Sequence, residues 1–154
     1  MIKLSSILDS KSIQLNLEID DKFVLIDNLV DLASNSGKVI DIGKAKFDVK
    51  EREDVMSTGV GKGIAIPHAK TESISSTVAA MITLKDGVDY KSLDKKNVNL
   101  AFLLLSEPVN IGNHLRLLSQ ISKLLNNESL RDRILDCQNE NEVLEIINLF
   151  EKEV

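Results

Sequence analysis

A run of six consecutive apolar residues at positions 100–105 constrains the fold more than any other feature of the sequence. The run lies within residues 98–105, a segment of strand length, and a strand that is apolar on both faces is typical of the centre of a covered sheet. Residues 77–84 form a second run of β-branched and aliphatic residues, which ends at the turn signal Lys85-Asp86-Gly87. The sequence therefore predicts two strands here, of which the second is central.

The first third of the chain shows a strand pattern followed by two helical patterns. Residues 12–19 alternate between apolar and polar side chains, which predicts a half-buried strand. Apolar residues at helical spacing follow Asp20 and Asp21, and Gly37 is placed to end that helix. The charged segment 39–56 favours a partly exposed helix with poor caps.

The rest of the chain mixes short strands with helices. The glycine-rich segment 57–63 is predicted to be a loop, and residues 64–66 are long enough only for a short strand. Asn113, Asn127 and Asn139 are each placed to cap a helix. Intermixed strands and helices predict a layered α/β arrangement, and 154 residues are enough for a single domain with its own core.

Composition and charge exclude several classes of function. The net charge is −5, the lysines and arginines are scattered among acids, and aromatic residues make up 3% with no tryptophan, so we expect no nucleic-acid partner. No apolar segment approaches the roughly 20 residues that a membrane-spanning helix needs. The N-terminus lacks the pattern of a secretory signal, and one cysteine permits no internal disulfide, so we expect a cytoplasmic protein.

The candidates for chemistry are the two histidines, His68 and His114, because both lie where an element meets a loop. Taken alone, each is explained equally well as a surface histidine. His68 follows three alternating glycines, Gly59, Gly61 and Gly63, which permit tight turns and leave room for a ligand or partner. The segment lacks P-loop spacing, and it precedes a short strand instead of the helix that a dinucleotide fingerprint requires.

The segment 63–69, Gly-Ile-Ala-Ile-Pro-His-Ala, resembles the phosphorylation-site motif of enzyme IIA domains of the bacterial phosphotransferase system. The similarity is to the fructose–mannitol class, also called type 2, and Arg52 and the Ser-Thr-Gly at 57–59 precede the motif as in that family. The further segments that resemble the family, in the same order along the chain, are 86–90, 100–104 and 114–118.

The resemblance implies a fold and a function. The fold is a single α/β domain over residues 1–154, with a mixed β-sheet flanked by helices on both sides. The function is that of a phosphocarrier enzyme, which accepts a phosphoryl group from phosphorylated HPr and donates it to a cysteine of an enzyme IIB component for sugar uptake. The IIB component and the membrane component IIC would be separate chains, and IIC would take part only indirectly. The resemblance implies no cofactor and no metal.

The family's functional residues correspond to His68, His114 and Arg52. His68 would be the phosphorylated nucleophile, since a neutral imidazole nitrogen is a competent nucleophile near neutral pH. His114, placed at a helix start by the predicted cap Asn113, would stabilise the phosphoryl group beside free backbone N–H groups. Arg52 would supply a forked pair of hydrogen bonds to phosphate oxygens, although a solvated arginine is the simpler explanation from the residues alone.

Ser57 and Thr58 are further candidates for contacts to the phosphoryl group through their hydroxyls. Turn formation explains both residues equally well. The sequence departs from the family at Asn113, where many members have an acidic residue before the second histidine, so the orientation of His114 is less constrained by the resemblance.

Three other functions are alternatives to the phosphocarrier. A regulatory protein of the nitrogen type would use the same site, with the phosphorylation state of His68 controlling the binding of partners. A two-histidine metal site lacks a third ligand at a recognisable spacing. A hydrolase built on Ser57 lacks the Gly-x-Ser-x-Gly elbow.

Overall fold

The computed structural model describes residues 1–153. Within this part of the chain, none of the helices combines the length and the hydropathy needed to cross a bilayer. A single 3-10 turn at Ser10–Ser12 precedes the first strand. The helices are α1 (Leu4–Ile7), α2 (Lys22–Ser34), α3 (Ile42–Val55), α4 (Ile111–Asn126), α5 (Glu128–Leu135) and α6 (Glu140–Glu153). The strands are β1 (Ile13–Leu17), β2 (Gly59–Gly61), β3 (Ile64–Ala65), β4 (His68–Lys70), β5 (Val78–Val88) and β6 (Val98–Ser106).

The six strands form one open, mixed sheet in the order β1-β5-β6-β3-β2, with β4 also paired to β6. β5 and β6 are antiparallel, whereas β1 is parallel to β5. Both β3 and β4 run parallel to β6 and pair with successive parts of its other edge. β6 therefore has partners on both edges, which confirms that the apolar run forms a central strand.

Helices cover both faces of the sheet, and two hydrophobic clusters divide the interior between them. Alternate residues of β6 belong to different clusters because side chains alternate across a strand. Phe102 packs in the cluster that includes α1, α4, α5 and α6, and Leu103 packs in the cluster that includes α2 and α3. The structure confirms a single α/β domain whose mixed sheet is flanked by helices on both sides.

Side-chain caps define where the first long helices begin. The Asp21 carboxylate accepts a hydrogen bond from the Phe23 N–H at 2.9 Å, as expected for the predicted helix, and Gly37 follows its end with φ at 77°. The expectation that the next helix is poorly capped is wrong. Asp41 caps α3 by accepting a hydrogen bond from the Lys44 N–H at 3.0 Å.

The prediction that Asn113 caps α4 is also wrong. The cap is Asn110, three residues earlier, and its side chain accepts a hydrogen bond from the Asn113 N–H at 3.3 Å. His114 consequently lies within the helix, and its N–H donates to the Asn110 carbonyl at 3.1 Å. The caps predicted at Asn127 and Asn139 are confirmed. The Asn127 side chain accepts a hydrogen bond from the Leu130 N–H at 3.1 Å, and the Asn139 side chain accepts one from the Glu142 N–H at 3.0 Å.

Two segments predicted to be turns or loops contribute to strands. β5 continues through Lys85-Asp86-Gly87 to Val88, with a shift of register between Thr83 and Val88. The predicted loop at 57–63 contains β2, which forms a tight hairpin with β3. The central residues of this hairpin, Lys62 and Gly63, have φ angles of 60° and 81°, the positive sign that two-residue hairpin turns require.

Candidate functional site

His68 lies where the chain resumes pairing with β6 after a two-residue break. Ile64 pairs with Leu100 and His68 pairs with Leu104, so the chain keeps the same alignment on both sides of the break at Ile66 and Pro67. Proline has no N–H to contribute to a ladder, which accounts for the interruption. The Pro67 carbonyl still accepts from the Leu104 N–H of β6 at 3.1 Å, whereas the Ile66 carbonyl lies 2.7 Å from Nδ1 of His68.

This contact determines which nitrogen of His68 can react. A carbonyl oxygen can only accept, so Nδ1 of His68 carries the proton and donates to Ile66. In the neutral ring, Nε2 then holds the free lone pair. Burial lowers the pKa of His68 below its ordinary value, although the Ile66 carbonyl opposes this change, and the nearby Arg52 charge lowers it further. The half-buried ring is therefore neutral at pH 7 and presents Nε2 as a nucleophile.

His114 extends from α4 toward the same place. Its side chain is buried, and Nδ1 lies 2.8 Å from the Ser106 hydroxyl at the end of β6. Burial, followed by the proximity of His68 and Lys70, lowers the pKa of His114 to about 4. The ring centroids of His114 and His68 are 5.5 Å apart, with an angle of 53° between the ring planes. The structure thus brings together the two histidines that the sequence separates by 46 positions, from 68 to 114.

The two rings line an open groove of about 470 Å³ between α3, β4 and α4. Arg52 is placed in this groove by α3, and its Nη1 donates to the Met56 carbonyl at 2.9 Å. Arg52 makes no ion pair with a carboxylate within residues 1–153. The residues lining the groove are Asp48, Glu51, Arg52, Val55, His68, Ala69, Lys70, His114, Leu115 and Leu118.

Ser57 and Thr58 do not line this groove. The Ser57 hydroxyl donates to the Tyr90 carbonyl at 3.2 Å and accepts from the Gly59 N–H at 3.1 Å, which is the behaviour of a turn-forming serine. The Thr58 side chain is buried, and its hydroxyl donates to Glu53 at 2.5 Å. In this structure both hydroxyls are therefore committed to the backbone or to a buried carboxylate.

Glu53 is the residue of this region whose position sequence reasoning missed. Its side chain is only 1% exposed, and it accepts hydrogen bonds from the Thr58 N–H at 2.6 Å and from the Tyr90 hydroxyl at 2.9 Å, besides an ion pair with Lys22 at 3.0 Å. Burial and the Glu53 charge raise the pKa of Tyr90, so its hydroxyl is a neutral donor. The signal in the sequence is an acid four residues after Val49, on the buried face of α3.

The chain is similar to known proteins over most of its length. Residues 6–149 match the family described as phosphoenolpyruvate-dependent sugar phosphotransferase system, EIIA 2. A fructose-specific EIIABC component of Bacillus subtilis is 38% identical over 151 residues, which are 98% of this chain and 24% of that protein. A fructose-specific EIIA component of Haloferax volcanii is 35% identical over 122 residues, or 79% of each chain. This chain therefore corresponds to a part of the Bacillus relative and to most of the Haloferax one.

Solved structures show the same fold. Nitrogen regulatory protein IIA-Ntr from Neisseria meningitidis superimposes with a TM-score of 0.87 and 27% identity, over 94% of this chain and 98% of that one. The enzyme IIA of the Escherichia coli mannitol system, solved in a complex with phosphorylated enzyme IIB, superimposes with a TM-score of 0.78 and 19% identity, over 91% and 96% of the two chains. The second likeness shows the fold alone.

Proposed function

Because this chain belongs to the EIIA 2 family of the phosphoenolpyruvate-dependent sugar phosphotransferase system, we propose that it is a phosphocarrier that uses His68 as its phosphorylated nucleophile. The donor would be phosphorylated HPr, the acceptor a cysteine of an enzyme IIB component, and the compartment the cytoplasm. We also propose that residues 1–154 form one domain of this type. The observation that carries the proposal is Nε2 of His68, left free in an open groove while Nδ1 is held by the Ile66 carbonyl.

The chemistry requires little of the protein beyond placing the reacting groups. The Nε2 lone pair of His68 forms a bond to phosphorus, and the bond from phosphorus to the donor's nitrogen breaks and returns its electron pair to the donor. The ring gains positive character as this bond forms, so its Nδ1–H is held more strongly by the Ile66 carbonyl. In the second transfer a cysteine thiolate of the acceptor attacks phosphorus, and the N–P electron pair returns to Nε2.

His114 and Arg52 would hold the phosphoryl oxygens. Both His114 and His68 are neutral near pH 7, because burial lowers both of their pKa values, so His114 can supply a hydrogen bond but no charge. Arg52 is permanently charged and reaches the groove from α3. The His114 N–H is used within α4, where it donates to the Asn110 carbonyl, and the contact of the ring with the Ser106 hydroxyl holds His114 in place.

A nitrogen-type regulatory protein is the second candidate, because the Neisseria structure that superimposes with a TM-score of 0.87 is a nitrogen regulatory protein. The two candidates share the phosphorylation site. They differ in whether the phosphorylated protein passes its group to a sugar-specific enzyme IIB, or instead changes its affinity for other proteins.

Incubation with phosphorylated HPr tests the proposal. We expect an acid-labile and base-stable label on the wild type and none on His68→Ala. His114→Ala should still accept the group but pass it slowly to enzyme IIB. Label on His68→Ala would refute the assignment of the nucleophile, and a labelled wild type that transfers nothing to any enzyme IIB would favour the regulatory function.

A further inference from the structure

We propose that Lys70 is a further catalytic residue of this site, whose ammonium group contacts an oxygen of the phosphoryl group carried by His68. The inference rests on the proposed phosphocarrier function and adds a residue that neither the motif nor its spacing points to. It follows from the position of Lys70 in β4 and from the charge that the groove must balance.

The strand geometry places Lys70 beside both histidines. Side chains two residues apart on a strand share a face, so Lys70 lies on the same face as His68, whereas Ala69 points to the opposite face and packs with the α2 and α3 cluster. Lys70 also pairs in register with Ser106 of β6, whose hydroxyl contacts His114. Lys70 is therefore next to His68 on the same face of β4, and it is next to Ser106, which contacts His114, on the neighbouring strand.

The charge of the phosphoryl group calls for more than one cation. A phosphoryl group carries nearly two negative charges at neutral pH, and both imidazoles are neutral there. The cations that line the groove are Arg52 and Lys70. One of them alone would leave about one negative charge uncompensated, whereas the two together match the charge of the group.

The Lys70 ammonium is available for this contact. Its side chain is exposed, and within residues 1–153 it makes no ion pair with a carboxylate. Two carboxylates also line the groove, Asp48 and Glu51. Asp48 is engaged by Lys44 at 3.2 Å and by the Thr71 hydroxyl at 2.7 Å, and Glu51 is exposed to solvent. Within the described part of the chain, no carboxylate is paired with the Lys70 ammonium.

The test compares Lys70→Gln with Lys70→Arg and with Lys62→Gln as the matched control. Lys62 is an exposed lysine of the same segment that does not line the groove. The rate of phosphorylation by saturating phosphorylated HPr should fall about tenfold in Lys70→Gln, because an exposed cation contributes less than the 10²- to 10³-fold typical of a buried donor. Lys70→Arg should stay within about threefold of the wild type, and Lys62→Gln should match it.

A second measurement separates contact with the phosphoryl group from docking of the donor. The ³¹P resonance of the isolated phosphorylated protein should titrate at a higher pH in Lys70→Gln than in the wild type, because a neighbouring cation favours the fully ionised phosphoryl group. An unchanged ³¹P titration, or an unchanged rate at saturation, would overturn the role of Lys70. Failure of the wild type to be labelled would instead refute the phosphocarrier function itself.

Discussion

Replacing Glu53 with alanine should destabilise the fold by about 3 kcal/mol, the lower end of the range for removing one partner of a buried ion pair. Each carboxylate oxygen accepts from two donors: Oε1 from the hydroxyls of Thr58 and Tyr90, and Oε2 from the Thr58 N–H and the Lys22 ammonium. The substitution leaves these donors without an acceptor in a site that is almost closed to water. The Lys22 side chain is 12% exposed and can regain some hydration, which is why we expect the lower end.

Urea unfolding at 25 °C, extrapolated linearly to water, measures this loss. Glu51→Ala is the matched control, because Glu51 is an exposed acid on the same helix and should change the free energy of unfolding by less than about 0.5 kcal/mol. Tyr90→Phe removes the hydroxyl that donates to Glu53 and lies 3.0 Å from the Thr58 hydroxyl. Because it acts on the same buried cluster, the free-energy losses of Tyr90→Phe and Glu53→Ala should sum to about 1 kcal/mol more than the loss of the double variant. A loss below about 1 kcal/mol for Glu53→Ala, or full additivity, would refute the reasoning.

Two further predictions concern stability. The pKa of His114 is about 4 in the folded protein against 6.5 unfolded, so the unfolded state binds more protons between these values, and this histidine alone should lower the stability by up to about 2 kcal/mol from pH 7 to pH 5. Urea titrations at the two pH values should show a smaller fall for His114→Asn, and an equal fall would contradict the assignment. Gly59→Ala should cost about 1–3 kcal/mol, because the added Cβ would lie 2.9 Å from the Ser92 Cβ. Gly112→Ala, with open space at that position, should lose nothing in the same urea unfolding assay.

The fold could be predicted from the sequence where a segment matched only one type of secondary structure. The six apolar residues at 100–105 are best placed in a central strand, and the acidic pair Asp20 and Asp21 marked the start of α2, which Asp21 caps. The start of α4 was placed three residues too late, because Asn110 and Asn113 can each cap a helix. The choice between them depends on which N–H needs an acceptor, which the periodicity of apolar residues does not reveal.

The candidate site, too, could be predicted from the sequence only in part. Position between an element and a loop singled out both His68 and His114, and the resemblance to a family added Arg52 and the roles of all three. The structure places these three side chains around one groove. The orientation of Thr58 could not be read from the motif, because it depends on a carboxylate buried five residues earlier in α3. Lys70 could have been noticed from strand alternation alone, but only after β4 was known to begin at His68.

The unbroken alignment of β3 and β4 along β6 limits how a covalent group on His68 could be detected. Because β3 and β4 pair with β6 in the same register, the segment between them contains no extra residues. The backbone at His68 therefore has little freedom to move when the imidazole is modified. A partner that distinguishes the two forms would have to sense the added dianion itself, by attraction or repulsion at its own surface. Recognition of that kind is electrostatic, and it should weaken as ionic strength rises.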